Sequence, residues 1–133
     1  MGATVDAFKA THLTIVGLLE QIDSTGEQQR VDALSRLKEV LLAHVGEENS
    51  IIQEAMDKPG TEVTFKSSAE RFMDELGNIA QTALLPFFDK YSSPDVVDSN
   101  DFANDFSGIK SALADRIAFE EGRFYPELEK LGY

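Results

Sequence analysis

The chain has 133 residues, enough to bury one core, and its 42% hydrophobic and 27% charged content is that of a folded globular domain. Its 24 acidic and 12 basic side chains leave a formal charge of -12, which argues against nucleic acid or an anionic membrane surface as partner, since both require basic patches. No cysteine is present, which excludes disulfides, thiolate metal sites, iron–sulfur clusters and thiol catalysis.

The N-terminal residues Met1-Gly2-Ala3-Thr4-Val5-Asp6 lack the basic segment and apolar stretch of a secretory signal, so a cytoplasmic location is expected. In the first segment Val5, Phe8, His12, Ile15, Leu19 and Ile22 recur every three or four residues and share one helical face. Asp23-Ser24-Thr25-Gly26 ends that helix, and Thr25 with Gln28 has the spacing of a capping box for the next. The second stripe is Val31, Leu34, Leu37, Leu41, His44, Glu48, Ile51 and Ile52, closed by Asp57-Lys58-Pro59-Gly60. The third helix is expected to begin near Ser67, with Glu70 reaching back to cap it. Its stripe runs Phe65, Ala69, Phe72, Leu76, Ile79, Ala83 and Phe87, and Pro86 is expected to kink or end it. Ser92-Ser93-Pro94 and the polar run Asp98–Asp101 form a third break. The last stripe is Phe102, Phe106, Ile109, Leu113, Arg116, Ile117, Glu120 and Phe124, with Pro126 closing or bending it. Four amphipathic helices with short connections predict a single all-α domain over 1–133, an antiparallel up-down-up-down four-helix bundle.

Polar residues interrupt these apolar stripes at His12, His44, Glu48, Arg116 and Glu120. His44 to Glu48 and Arg116 to Glu120 are both four residues apart, so each pair projects from one face on adjacent turns. Reflection about the turn near Gly60 sets His44 opposite Leu76 and Glu48 opposite Phe72. Reflection about residue 96 sets Phe72 opposite Glu120 and Leu76 opposite Arg116. At about 1.5 Å per residue the four polar side chains of the second and last helices fall in one layer, within a turn; His12 aligns less well. Each has an ordinary reading: a satisfied core histidine, a solvated Glu48, or an Arg116 whose stem is buried while its guanidinium reaches water. Together they offer the nitrogen and carboxylate donors that a first-row transition metal requires.

The segments Ala10-Thr11-His12-Leu13, Leu42-Ala43-His44-Val45-Gly46-Glu47-Glu48 and Phe119-Glu120-Glu121-Gly122-Arg123-Phe124-Tyr125-Pro126-Glu127-Leu128 resemble the hemerythrin-like, HHE cation-binding family. The resemblance implies a histidine from the first helix, His-x-x-x-Glu from the second, a histidine from the third and His-x-x-x-Glu from the fourth. His12, His44, Glu48 and Glu120 match that pattern. The third helix has no histidine, its layer offering Phe72 and Leu76, and Arg116 stands at the fourth helix's histidine position. The expectation is therefore one non-heme iron or other divalent ion on His12, His44, Glu48 and Glu120, for sensing or storage, rather than a full di-iron oxygen carrier. Arg116 would then supply positive charge beside the vacated second site.

Two other classes compete with this reading. A metal-free regulatory module would keep the bundle and use the His/Glu/Arg cluster as a structural polar network, with a protein partner met by its acidic faces or by aromatics near the ends (Phe87, Phe88, Tyr91, Phe124, Tyr125). Histidine phosphotransfer also uses a helical bundle, but His12 and His44 lie on apolar stripes, and no basic, small-residue sequence follows either. No serine or threonine joins the layer and no glycine-rich phosphate loop is present, so a non-enzyme is expected.

Overall fold

The computed structural model describes residues 2–133 and is a helical bundle, 88% helix, with no strand among the described residues. Helix α1 spans Ala3–Ser24 and α2 Glu27–Asp57. Helix α3, Val63–Ile79, runs through a π-helical turn, Ala80–Leu84, into α4, Leu85–Lys90. After the short α5, Pro94–Val97, helix α6, Asn100–Phe119, runs through a second π turn, Glu120–Phe124, into α7, Tyr125–Lys130. Among the described residues no helix is long and apolar enough to cross a membrane.

The turns follow local chemistry, with three departures from expectation. Gly60 takes φ +82°, the left-handed conformation that ends the α2–α3 connection without a Cβ penalty. The Thr25 capping box does not form. Thr25 turns its hydroxyl back to the Gln21 carbonyl, and Gly26 occupies the cap position. The start of α2 is instead closed from a distance: the Glu27 backbone N–H donates to Asp98 Oδ2 at 3.1 Å, and Arg30 donates to Asp98 Oδ1 and the Val97 carbonyl. Helix α3 begins at Val63, ahead of Ser67, because Glu62 is the last extended residue after the glycine turn. Ser67 therefore lies within the helix rather than capping it. The third break holds one helical turn, α5, opened by Pro94 at its first position, where the missing N–H costs nothing. Ser99 then caps α6 by accepting from the Phe102 N–H at 3.1 Å.

Neither Pro86 nor Pro126 ends its helix. Each lies two residues beyond a π turn, and the N–H preceding it reaches back five residues, from Leu85 to Ala80 and from Tyr125 to Glu120. A widened turn makes room where a proline ring would otherwise strike the preceding turn of helix.

The apolar side chains form two clusters. One gathers Ile15, Leu19, Ile22, Leu34, Leu37, Phe87, Tyr91, Phe102, Phe106 and their neighbours at the end of the bundle holding the α1–α2 turn. The other gathers Val5, Phe8, Ile52, Phe65, Phe72, Phe124, Tyr125 and Leu128 at the opposite end. Burying each such side chain contributes about 1.5–3 kcal/mol. The aromatics considered as partner contacts, Phe87, Phe88, Tyr91, Phe124 and Tyr125, are all buried and belong to these cores. Between the two cores lie four buried polar residues, His12, His44, Glu48 and Glu120.

Candidate metal centre

Three elements deliver those four side chains. His12 comes from the middle of α1, His44 and Glu48 from consecutive turns of α2, and Glu120 from the first residue of the second π turn. They are 2%, 5%, 1% and 3% exposed, so none belongs to a solvated edge. His12, whose height was the least certain from sequence, is central. Its Nε2 lies 3.1 Å from His44 Nε2 and 2.8 Å from Glu120 Oε1. His44 Nε2 lies 2.9 Å from Glu48 Oε1 and 3.7 Å from Glu120 Oε1.

Two further residues complete the site. The Tyr125 hydroxyl lies 2.9 Å from Glu48 Oε2, 3.0 Å from Glu120 Oε1 and 3.1 Å from His12 Nε2. His12 Nδ1 meets Glu121 Oε2 at 2.7 Å. The sequence offers Tyr125 only as an aromatic near a helix end and Glu121 only as a neighbour of Glu120. The missing signal was the π turn, which brings residue 125 over residue 120 although a regular helix would rotate it away.

Arg116 stands beside the cluster, but its ion pair is made elsewhere. Its NH1 donates to Glu75 Oε2 of α3 at 3.4 Å, and its guanidinium lies over the rings of Phe72 at 4.5 Å and Phe119 at 5.4 Å. Its ion pair is with Glu75 rather than with Glu48 or Glu120, while its Nε and NH2 stay buried against the aromatic faces of Phe72 and Phe119. Its stem nevertheless lines a small chamber of about 30 Å³ together with His12, His44, Glu48, Leu76 and Glu120. Phe72 stacks on Phe119 and Phe124 and contributes no donor, and Leu76 is an apolar wall.

The electrostatics are those of a tightly shared set of protons. Burial works against the charged form of His44, but hydrogen bonding to Glu120 and Glu48 outweighs it and raises its pKa to about 9. His12 is raised in the same way, burial being overcome by Glu120 and Glu121. Burial also opposes ionisation of Glu120, yet hydrogen bonds from His12 and His44 hold it down to about 2. Glu48 is pushed up, by burial first and by the Glu120 charge, despite its contact with His44. Burial and the two carboxylates push the Tyr125 hydroxyl far up.

The donor set fits a metal ion. A first-row ion bound to nitrogen and oxygen at about 2.0–2.2 Å requires neighbouring ligand atoms roughly 3 Å apart. His12 Nε2, His44 Nε2 and one Glu120 oxygen all lie within 4.8 Å of one another, with the shorter separations near 3 Å. Two imidazole nitrogens facing each other at 3.1 Å can share only one proton, and the single Tyr125 proton faces three acceptors. Glu48 Oε1 is buried with His44 Nε2 as its close neighbour, at 2.9 Å, in a contact too poorly aligned for a good hydrogen bond. A cation supplies what these lone pairs lack. Glu121 lies where it can hold a proton of His12 on Nδ1, so that an ion displacing the Nε2 proton would meet an inward-facing lone pair, the carboxylate–histidine arrangement common behind metal ligands.

Residues 3–128 match the family profile described as the hemerythrin HHE cation binding domain. No curated protein and no solved structure matches the chain. The match covers nearly the whole sequence, including every residue of the buried cluster, and the chain belongs to the hemerythrin HHE cation-binding family.

Proposed function

We propose that this protein binds a single non-heme metal ion, iron favoured, between the two apolar cores, and serves in sensing or storage rather than as a di-iron oxygen carrier. The observation that carries the reading is the convergence of His12 Nε2, His44 Nε2 and Glu120 Oε1, with Glu48 alongside. A second ion lacks nitrogen donors on the α3 side, where Phe72 and Leu76 stand, and Arg116 has turned to Glu75. Iron bound here supplies a redox couple; the chain supplies burial, a fixed imidazole orientation through Glu121, and charge balance from the carboxylates. The reading is of a non-catalytic domain: a chamber of about 30 Å³ has room for an ion or a water and little more.

Elemental analysis of protein expressed with ample iron tests this. About one iron per chain is expected by the ligand count, lost in His44→Ala. Metal-free wild type under those conditions overturns it.

The second reading is a metal-free interaction module in which the cluster is a structural polar network. Its support is that His12, Glu120 and Tyr125 hydrogen-bond one another directly. It expects the Glu48→Gln, Glu120→Gln double variant to stay folded and functional, whereas the metal reading expects that variant to lose its ion.

A further inference from the structure

The oxygen of Tyr125 is the one donor of the cluster that neither the family pattern nor the apolar stripes account for. Tyr125 is fully buried, with its hydroxyl among Glu48, Glu120 and His12. The other two tyrosines commit their hydroxyls elsewhere, Tyr91 to Asp105 at 2.6 Å and Tyr133 to Glu54 at 2.8 Å. Tyr125 is held in place by the second π turn, whose backbone bond from Tyr125 to Glu120 sets the phenol over the Glu120 carboxylate. Its ring also stacks on His12, with centroids 5.5 Å apart. The spacing of its oxygen from His12 Nε2 and Glu120 Oε1, 3.1 and 3.0 Å, is the same as the spacing among the nitrogen and carboxylate donors themselves.

We propose that Tyr125 is a direct ligand of the bound ion through its phenolate oxygen, and that the site thereby takes ferric iron in preference to a divalent ion. The proposal rests on the metal-binding reading above. It answers the shortage of nitrogen donors: with only two histidines in the chain, the remaining positions fall to oxygen, and hard anionic oxygens suit a trivalent ion. Glu48, Glu120 and a Tyr125 phenolate together carry three negative charges, which Fe(III) neutralises. A divalent ion is already neutralised by Glu48 and Glu120 and leaves Tyr125 its proton, so it is the third charge of a trivalent ion that draws out the phenolate. On binding, the phenolic O–H bond breaks and an Fe–O bond forms. The phenolic proton is released to solvent as the ion enters, Glu48 and Glu120 remaining ionised; the iron enters as Fe(III) and no electron changes hands.

The test loads metal-free protein with ferric nitrilotriacetate, removes excess by desalting, and records iron content, visible absorption and resonance Raman spectra. Wild type is expected to show a tyrosinate-to-iron charge-transfer band whose enhanced ring vibrations shift when the protein carries ring-deuterated tyrosine. Tyr125→Phe is expected to lose the band, while Tyr91→Phe and Tyr133→Phe keep it. Wild type that holds iron without such a band, or a band that survives in Tyr125→Phe, overturns the ligand assignment and leaves the metal reading standing. Wild type that takes up no iron overturns both. Should Tyr125→Phe fail to fold, the isotope shift in wild type decides the matter alone, because Tyr125 is the tyrosine whose hydroxyl lies in the cluster. Preference is read from an equimolar Fe(III) and Zn(II) challenge, in which wild type retains iron; equal or greater zinc uptake overturns the selectivity.

Discussion

Glu121 grips the outer nitrogen of His12 at 2.7 Å while its neighbour Glu120 faces the inner nitrogen of the same ring at 2.8 Å. Adjacent residues thus bracket one imidazole, one from the rim and one from within the core. Glu121 is 38% exposed at its side chain and so can be altered without opening the cluster to a cavity.

On the metal-binding reading, Glu121→Ala is expected to weaken metal binding by about 10–100-fold, since the ring is then free to rotate and its inner nitrogen loses basicity. Glu121→Gln, whose amide oxygen can still accept the Nδ1 proton, is expected to lose less. Competition with a chelator of known affinity measures both; unchanged affinity in Glu121→Ala would remove Glu121 from the site.

The metal-free protein should carry a distinct pH profile. His44 rises from 6.5 to about 9 on folding, so its contribution is fully present below pH 6.5 and is lost as pH rises through about 9. Glu120 falls from 4.5 to about 2, so its contribution is present above pH 4.5 and is lost as pH falls through about 2. The raised Glu48 adds to the alkaline loss, because a carboxyl that holds its proton more tightly when folded favours folding below pH 4.5 and gives that up as pH rises through its raised value. Urea unfolding of metal-free protein should therefore show greatest stability near pH 4.5–6.5 and a decline toward pH 9. Bound metal competes with the same protons, so the stabilisation conferred by loading should grow with pH. A flat metal-free profile from pH 6.5 to 9 contradicts this account.

The second π turn and Pro126 should be energetically coupled. Deleting Gly122 shortens the turn to α-helical spacing and would place the tyrosine four residues after Glu120, still on the same face. It also drives the proline ring into the preceding carbonyl, at a cost of about 3 kcal/mol. The deletion alone is expected to destabilise the protein by that order, and the deletion combined with Pro126→Ala to recover most of it, as read by denaturant midpoints. Additive losses would show that the proline is not what keeps the turn wide.

Residues whose chemistry conflicts with their local pattern could be read before folding. His12, His44, Glu48 and Glu120 stood out because a helical face otherwise made of valine, leucine, isoleucine and phenylalanine has no reason to carry them, and all four are buried together. Tyr125 conflicted with nothing. In an aromatic run it reads as core, and a period of 3.6 residues rotates it about 140° away from Glu120; only the π turn reverses that. Glu121, one residue from Glu120, falls on an adjoining face and resembles any solvated acid. Arg116 could be placed in the right layer but not in direction, since the pull of two aromatic faces and Glu75 is a tertiary effect. The closure of α2 by Asp98, 71 residues beyond Glu27, likewise lies outside any local capping rule.

The division of the apolar interior into two clusters has a mechanical consequence. At one end, the Tyr133 carbonyl receives the Val5 N–H and ties the last residue to the first helix; at the other, Asp98 clamps the start of α2. Each end has its own apolar packing, and the polar layer is the hinge plate where the two halves meet. In the metal-free chain that plate is joined only by hydrogen bonds among His12, Glu48, Glu120 and Tyr125. An ion would draw α1, α2 and the second π turn onto one point and stiffen the joint. The two ends would then fluctuate and melt as one body. In such a design occupancy is broadcast along the bundle as rigidity, without any helix having to move.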